Sequence, residues 1–239
     1  MRTLLFLACA VVVGGHPTAS AQQTVGSKVD LFGIYAPPIF DGGGPPRTEP
    51  DVIPFTAEGQ QAADAYVPTR DSPRVLDDCV AETMPRILWT GNPMEILEQV
   101  GELMIRYERG NTVRSIDMIG TPPVANHPHT DLGYSVGRWM GDVLTIETTH
   151  MSSGIVTDGT RPLSREGRVT ERYWREPGQN DLQLELEIDD PVNYTRTFKM
   201  GREFVWAPEE QVLPWECVSL GPKDTPPDID ELVRMLEEL

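Results

Sequence analysis

The stretch Leu182-Gln183-Leu184-Glu185-Leu186-Glu187-Ile188-Asp189 alternates apolar and polar residues over its whole length. Successive side chains of a strand point to opposite faces, so this pattern is a strand with one dry face and one wet face. Working outward from it, short segments of similar character recur at 94–99, 102–107, 113–119, 134–139, 143–149, 169–174, 194–200, 203–206 and 212–217. Arg109-Gly110-Asn111, Met140-Gly141-Asp142 and Pro177-Gly178-Gln179-Asn180 stand between them as hairpin turns. The connections are short and none holds a helical crossover, so the sheet is expected to be mainly antiparallel. A meander of this many strands most economically closes, as a lipocalin-like barrel or a strongly curled sheet.

The flanks read differently. Residues 1–21 carry Arg2, an apolar run from Leu4 to Val13 and Ala19-Ser20-Ala21, the three-part layout of a secretory signal peptide. The apolar run is shorter than the roughly 20 residues a membrane span needs. Residues 22–55 are rich in Gly and Pro, as in Gly42-Gly43-Gly44-Pro45-Pro46, and are expected to form an extended arm. The barrel domain is expected over 56–220. It opens with a short helix near 56–66, which Thr56 would cap. Residues 221–239 are expected to end in an amphipathic helix, with Asp228 and Glu231 at capping-box spacing and Leu232, Met235, Leu236 and Leu239 on one face.

The chain of 239 residues has a formal net charge of −17. That charge repels phosphate backbones and disfavours nucleic acid as a partner. Beyond residue 21 the sequence shows no membrane-spanning run, so no membrane insertion of the mature chain is expected, and its place is the periplasm or the exterior. Loss of the leader removes Cys9 and leaves Cys79 and Cys217. In an oxidising compartment they are expected to pair as one disulfide, the alternative being two reduced, buried thiols.

Strand phase suggests which polar residues face inward. Leu144 and Ile146 mark the core side of 143–149, and Thr148 and His150 are in phase with them. Glu171 is in phase with Val169 and Tyr173, while Tyr194 and Arg196 are in phase with Phe198. Together they give an interior set of His150, Glu171, Tyr194 and Arg196. In it His150 would move a proton, Glu171 orient it, and Arg196 with Tyr194 hold an oxyanion. The other reading of the same residues is a satisfied polar cluster that orders a barrel end.

A second cluster is His127-Pro128-His129. With His150 it supplies the ligand types of a three-histidine zinc site with an open position. No other cofactor is suggested, because phosphate loops, nucleophile elbows and cysteine ligand clusters are missing from the sequence. Trp139, Trp174, Trp206 and Trp215 lie in or beside strands and are expected to pack at the core or the rim.

Several longer motifs occur between Cys79 and Cys217. They are Asn92-Pro93-Met94-Glu95-Ile96, Gly133-Tyr134-Ser135-Val136-Gly137-Arg138-Trp139-Met140-Gly141-Asp142-Val143-Leu144, Thr148-Thr149-His150, Glu171-Arg172-Tyr173, Asp190-Pro191 and Pro214-Trp215-Glu216-Cys217. In these the chain resembles a large group of uncharacterised secreted bacterial β-rich proteins. The resemblance implies export and a β domain, and leaves the reaction open. The chain departs from the group's pattern at Tyr134, where many members carry His, and at Met140, where many carry Glu.

The leading expectation is therefore an exported barrel that binds a small, partly apolar organic molecule inside, with Tyr134, Tyr173 and Phe198 among its contacts. The alternatives are a cofactor-independent lyase, isomerase or hydratase built on His150, and a cell-envelope interaction module that uses the outer faces and the arm.

Overall fold

The computed structural model describes residues 30–38, 47–67, 79–157 and 161–217. The expected leader and the expected C-terminal helix lie outside the described residues. In chain order the strands are β1 (Gly33–Ala36), β2 (Arg47–Thr48), β3 (Met94–Gln99), β4 (Glu102–Tyr107), β5 (Thr112–Asp117) and β6 (Tyr134–Met140). They continue with β7 (Val143–Thr149), β8 (Gly154–Ile155), β9 (Pro162–Leu163), β10 (Arg168–Arg175), β11 (Leu182–Asp189) and β12 (Phe198–Trp206). One α-helix, α1 (Ala57–Ala65), is present among the described residues, and Thr56 caps it by accepting the Gly59 N–H at 3.0 Å. This is the capped helix expected from the sequence.

Nine of these strands close into a barrel in the order β1, β3, β4, β5, β6, β7, β10, β11, β12. Closure is made by β1, which pairs with β3 on one side and β12 on the other. The segment expected to be only an extended arm thus contributes a stave of the barrel. Strand direction can alternate around a whole ring only when the number of strands is even. With nine strands, one neighbouring pair has to be parallel, and it is β5 with β6, joined at Asp117 and Val136. All other pairs in the ring are antiparallel, as expected. The seam forces a long connection over residues 118–133, which carries His127 and His129.

Two strand assignments change. The expected strands 194–200 and 203–206 are one strand, β12, that starts only at Phe198. Within it, the missing side chain of Gly201 serves close approach: a Cβ there would collide with Thr48 Oγ1 on β2. Residues 212–217 form no strand. Side chains hold them instead, with Asn111 Oδ1 accepting the Trp215 N–H at 2.8 Å and Asn111 Nδ2 donating to the Trp215 carbonyl at 3.0 Å. Cys79 and Cys217 form the disulfide, with Cα atoms 5.6 Å apart. Trp215 lies under the Arg109 guanidinium, Trp206 and Trp139 pack against the core, and Trp174 donates outward to Glu176.

The interior is full. Tyr35, Ile96, Ile105, Ile146, Leu186 and Met200 are among the inward side chains of a continuous core. Met84, Ile87 and Leu88, from the segment that leads into β3, belong to that core. Arg202 anchors this segment by donating to the carbonyls of Leu88 and Thr90. About eight strands leave an interior that side chains can fill, and here strands and inserted segment fill it together. No helix among the described residues is long and apolar enough to cross a membrane.

Candidate functional site

Two polar clusters came out of the sequence reading, and the structure separates them. The first lies inside the barrel. Glu171 projects inward from β10 and is fully buried, as its phase required. Its carboxylate is held by Arg114 of β5 through two contacts, at 2.9 Å and 2.6 Å, and by the Tyr173 hydroxyl, which donates at 2.7 Å. Arg114 also donates to Thr148 Oγ1 at 2.6 Å and to Ser135 Oγ at 3.0 Å. Burial opposes the Arg114 charge, but the adjacent Glu171 carboxylate outweighs it and raises the guanidinium pKa. Burial and the same carboxylate push the Tyr173 hydroxyl well above its usual range, so it stays a neutral donor. Tyr107 lies beside the cluster without a hydrogen bond of good geometry. Burial pushes its pKa up to about 12, partly against the pull of Arg114.

None of the other members of the expected interior set joins Glu171. His150 would follow Thr148 inward if β7 continued, but its backbone turns left-handed at φ 57°, which breaks the alternation. The histidine leaves the wall half-buried on the outside, with Nδ1 2.9 Å from Thr149 Oγ1. The segment with Tyr194 and Arg196 precedes β12, so strand phase does not govern it. Tyr194 is buried outside the Glu171 cluster, in ring contact with Phe55 and Phe198, and its hydroxyl donates to the Pro162 carbonyl at 2.7 Å. Burial raises its pKa. Arg196 is exposed. Of the expected ligand contacts, Tyr173 and Phe198 are core residues, and only Tyr134 is on the outside with His150.

The second cluster is assembled at the seam. The connection that returns from β5 runs back beside the chain leaving β7, where Thr130 and Met151 form a parallel bridge. Thr130 N–H donates to the His150 carbonyl at 3.0 Å, and Ser152 N–H donates to the Thr130 carbonyl at 2.8 Å. Gly133 permits the approach, because it has φ 67° and a Cβ there would meet the Thr149 carbonyl oxygen at 2.5 Å. As a result the His127 and His129 rings lie 5.4 Å and 5.5 Å from the ring of His150, centre to centre. Tyr134 meets His127 edge-on at 4.8 Å, and its hydroxyl donates to the Thr121 carbonyl at 2.9 Å. Burial, followed by the two neighbouring imidazoles, holds the His150 pKa below the usual histidine value. Among the described residues, no group of three His, Cys, Asp and Glu side chains is arranged to hold a metal ion as it stands.

A pocket of about 380 Å³ opens beside this cluster, lined by His129, Thr149, His150, Pro123, Gly167 and the Arg168–Glu147 pair, among others. A larger groove of about 780 Å³ follows the outer face of β11 and β12 and includes Arg196. Several of its polar groups are engaged with one another, as in Lys199 paired with Glu185 and Gln183 donating to Glu203. It brings no imidazole or other near-neutral titrating group together. The smaller pocket is the stronger candidate on chemical grounds. Both lie outside the barrel wall, which moves the candidate site away from the interior expected from the sequence. Comparison of the chain with protein-family models and with curated sequences finds no match.

Proposed function

We propose that the chain is an exported barrel protein that binds a small organic molecule, with more polar than apolar surface, in the pocket at the seam. The observation that carries this reading is the convergence of His127, His129 and His150 beside a pocket with a mainly polar wall. A neutral imidazole offers one donor and one acceptor, and Thr149 and the Arg168–Glu147 pair add further groups for orienting a ligand. The left-handed His150 supports the same reading, since strained backbone concentrates at ligand and catalytic sites. The filled interior argues against a ligand among Tyr173 and Phe198. Export is supported by the Cys79–Cys217 disulfide, a bond that persists in oxidising compartments, and by the leader expected over residues 1–21. The likeness to secreted bacterial β-rich proteins fits the same compartment.

Native mass spectrometry of the protein isolated from its own producer tests the reading. Wild type is expected to retain one small molecule that His150→Asn and His129→Gln lose and Arg196→Ala keeps. A wild type that carries nothing, or retention lost only in Arg196→Ala, would overturn it.

A further inference from the structure

We propose that the groove on the outer face of β10, β11 and β12 binds a neutral oligosaccharide of gluco-configured pyranose rings, at a site separate from the pocket at the seam. Strand alternation builds the groove. Glu171 and Tyr173 face inward on β10, so Trp174 faces out, and Gln183 and Glu185 of β11 and Gly201 and Glu203 of β12 share its side of the wall. Register sets Trp174 opposite Gln183 and Gln183 opposite Glu203, in one row across three strands. In the next row Glu185 lies opposite Gly201, and Gly201 opposite Thr48 of β2. Gly201 keeps the floor low there, and Thr48 with Glu49 and Pro50 lines the far side. Three strand spacings separate β10 from β2, about 14 Å in all. With a volume of about 780 Å³, the groove has room for a short chain of sugar rings.

The tryptophan is the first ground. Trp215 is covered by Arg109, Trp206 by Arg175 and Tyr35, and Trp89 and Trp139 belong to the core or pack against it. Trp174 is half-buried and lines the groove, and among the described residues no ring or guanidinium stacks on it. Its Nε1–H donates to Glu176 Oε1 at 2.8 Å, which holds the indole in place before a ligand arrives. A flat, fixed ring of this kind suits the C–H face of a pyranose whose hydroxyls are all equatorial.

Unused acceptors are the second ground. Gln183 Nε2 donates to Glu203 Oε1 at 2.9 Å, and Arg172 and Lys199 both donate to Glu185 Oε1. Gln183 Oε1, Glu203 Oε2 and Glu185 Oε2 have no partner among the described residues. These oxygens accept from hydroxyl groups, so the groove is complementary to a ligand rich in O–H donors. Arg172 and Lys199 are already paired with Glu185 and Glu187, which favours a neutral ligand over an acidic one.

The test is isothermal titration of the purified protein with cellotetraose and with maltotetraose, a straight and a curved chain of the same ring. Binding of at least one is expected, about 10-fold or more weaker in Trp174→Ala, near wild type in Trp174→Phe and unchanged in His150→Asn. Far-UV circular dichroism and melting curves establish that the variants are folded. Binding of neither sugar, binding that Trp174→Ala leaves intact, or binding that His150→Asn weakens as much as Trp174→Ala overturns the site. The seam pocket stands or falls separately, since Trp174→Ala is expected to keep the small molecule retained beside His150.

Discussion

His150 occupies a backbone conformation that disfavours side chains carrying a Cβ, and the cost is roughly 1–2 kcal/mol. Glycine removes that strain but gives up more chain entropy on folding, about 0.5–1 kcal/mol. His150→Gly is therefore expected to leave unfolding free energy within about 1 kcal/mol of wild type in urea, while small-molecule retention is lost. Such a pairing marks a residue kept for its chemistry. The opposite case is Glu171, whose carboxylate is wholly buried against Arg114. Removing one partner of a buried pair leaves an uncompensated charge and costs about 3–5 kcal/mol. Glu171→Gln should lose stability on that scale, and Arg114→Met with Glu171→Leu should regain much of it, as measured by chemical denaturation. Equal stability of Glu171→Gln and wild type would show that the pair is not closed in solution.

At the scale of elements, the segment inserted into the core is fastened by Glu82, which meets Arg86 at 2.8 Å and Arg109 at 3.5 Å with its side chain 2% exposed. Burial raises its carboxyl pKa despite the two guanidinium groups. The folded state then holds its proton to higher pH than the unfolded state does. Its contribution is fully present below the unfolded glutamate pKa and is lost as pH rises through the folded value. Glu82→Gln should flatten that decline in a series of melts across the acid range, and an unchanged pH profile would contradict the assignment. Most strands were legible because their alternation is regular and their turns are marked: β3, β4 and β7 have the expected bounds. β1 was hidden because four residues amid glycine and proline carry little pattern. Arg114 was missed because β5 reads both ways, with Val113 marking one face and Ile116 the other. The inward reading of Glu171 and Thr148 held because both lie within regular strands. It failed for His150 at a single backbone dihedral and for Arg196 because the strand there starts later, while Tyr194 is part of the core but away from Glu171. Sequence spacing did bring the three histidines under one heading, although nothing in it revealed that an odd strand count would lay their loop beside β7.

Across the whole molecule, the barrel is closed twice: by β1 between β3 and β12, and by a disulfide that spans 138 residues. Cross-linking so long a loop restricts the unfolded chain, a contribution of about 3–5 kcal/mol in the entropy model. Cys79→Ala with Cys217→Ala is expected to lower unfolding free energy by that amount while keeping the barrel's circular dichroism spectrum; no loss would show that strand closure alone fixes the end. A wall closed in this way, around an interior packed with its own side chains, agrees with the proposed site on the outside, where the seam's long connection meets the end of β7. The most direct test is a crystal structure of the protein as isolated from its producer. Electron density for a bound molecule is expected against His129 and His150, with Met84–Trp89 still packed in the core. Density inside the barrel beside Tyr173 and Phe198, with that segment displaced, would contradict it.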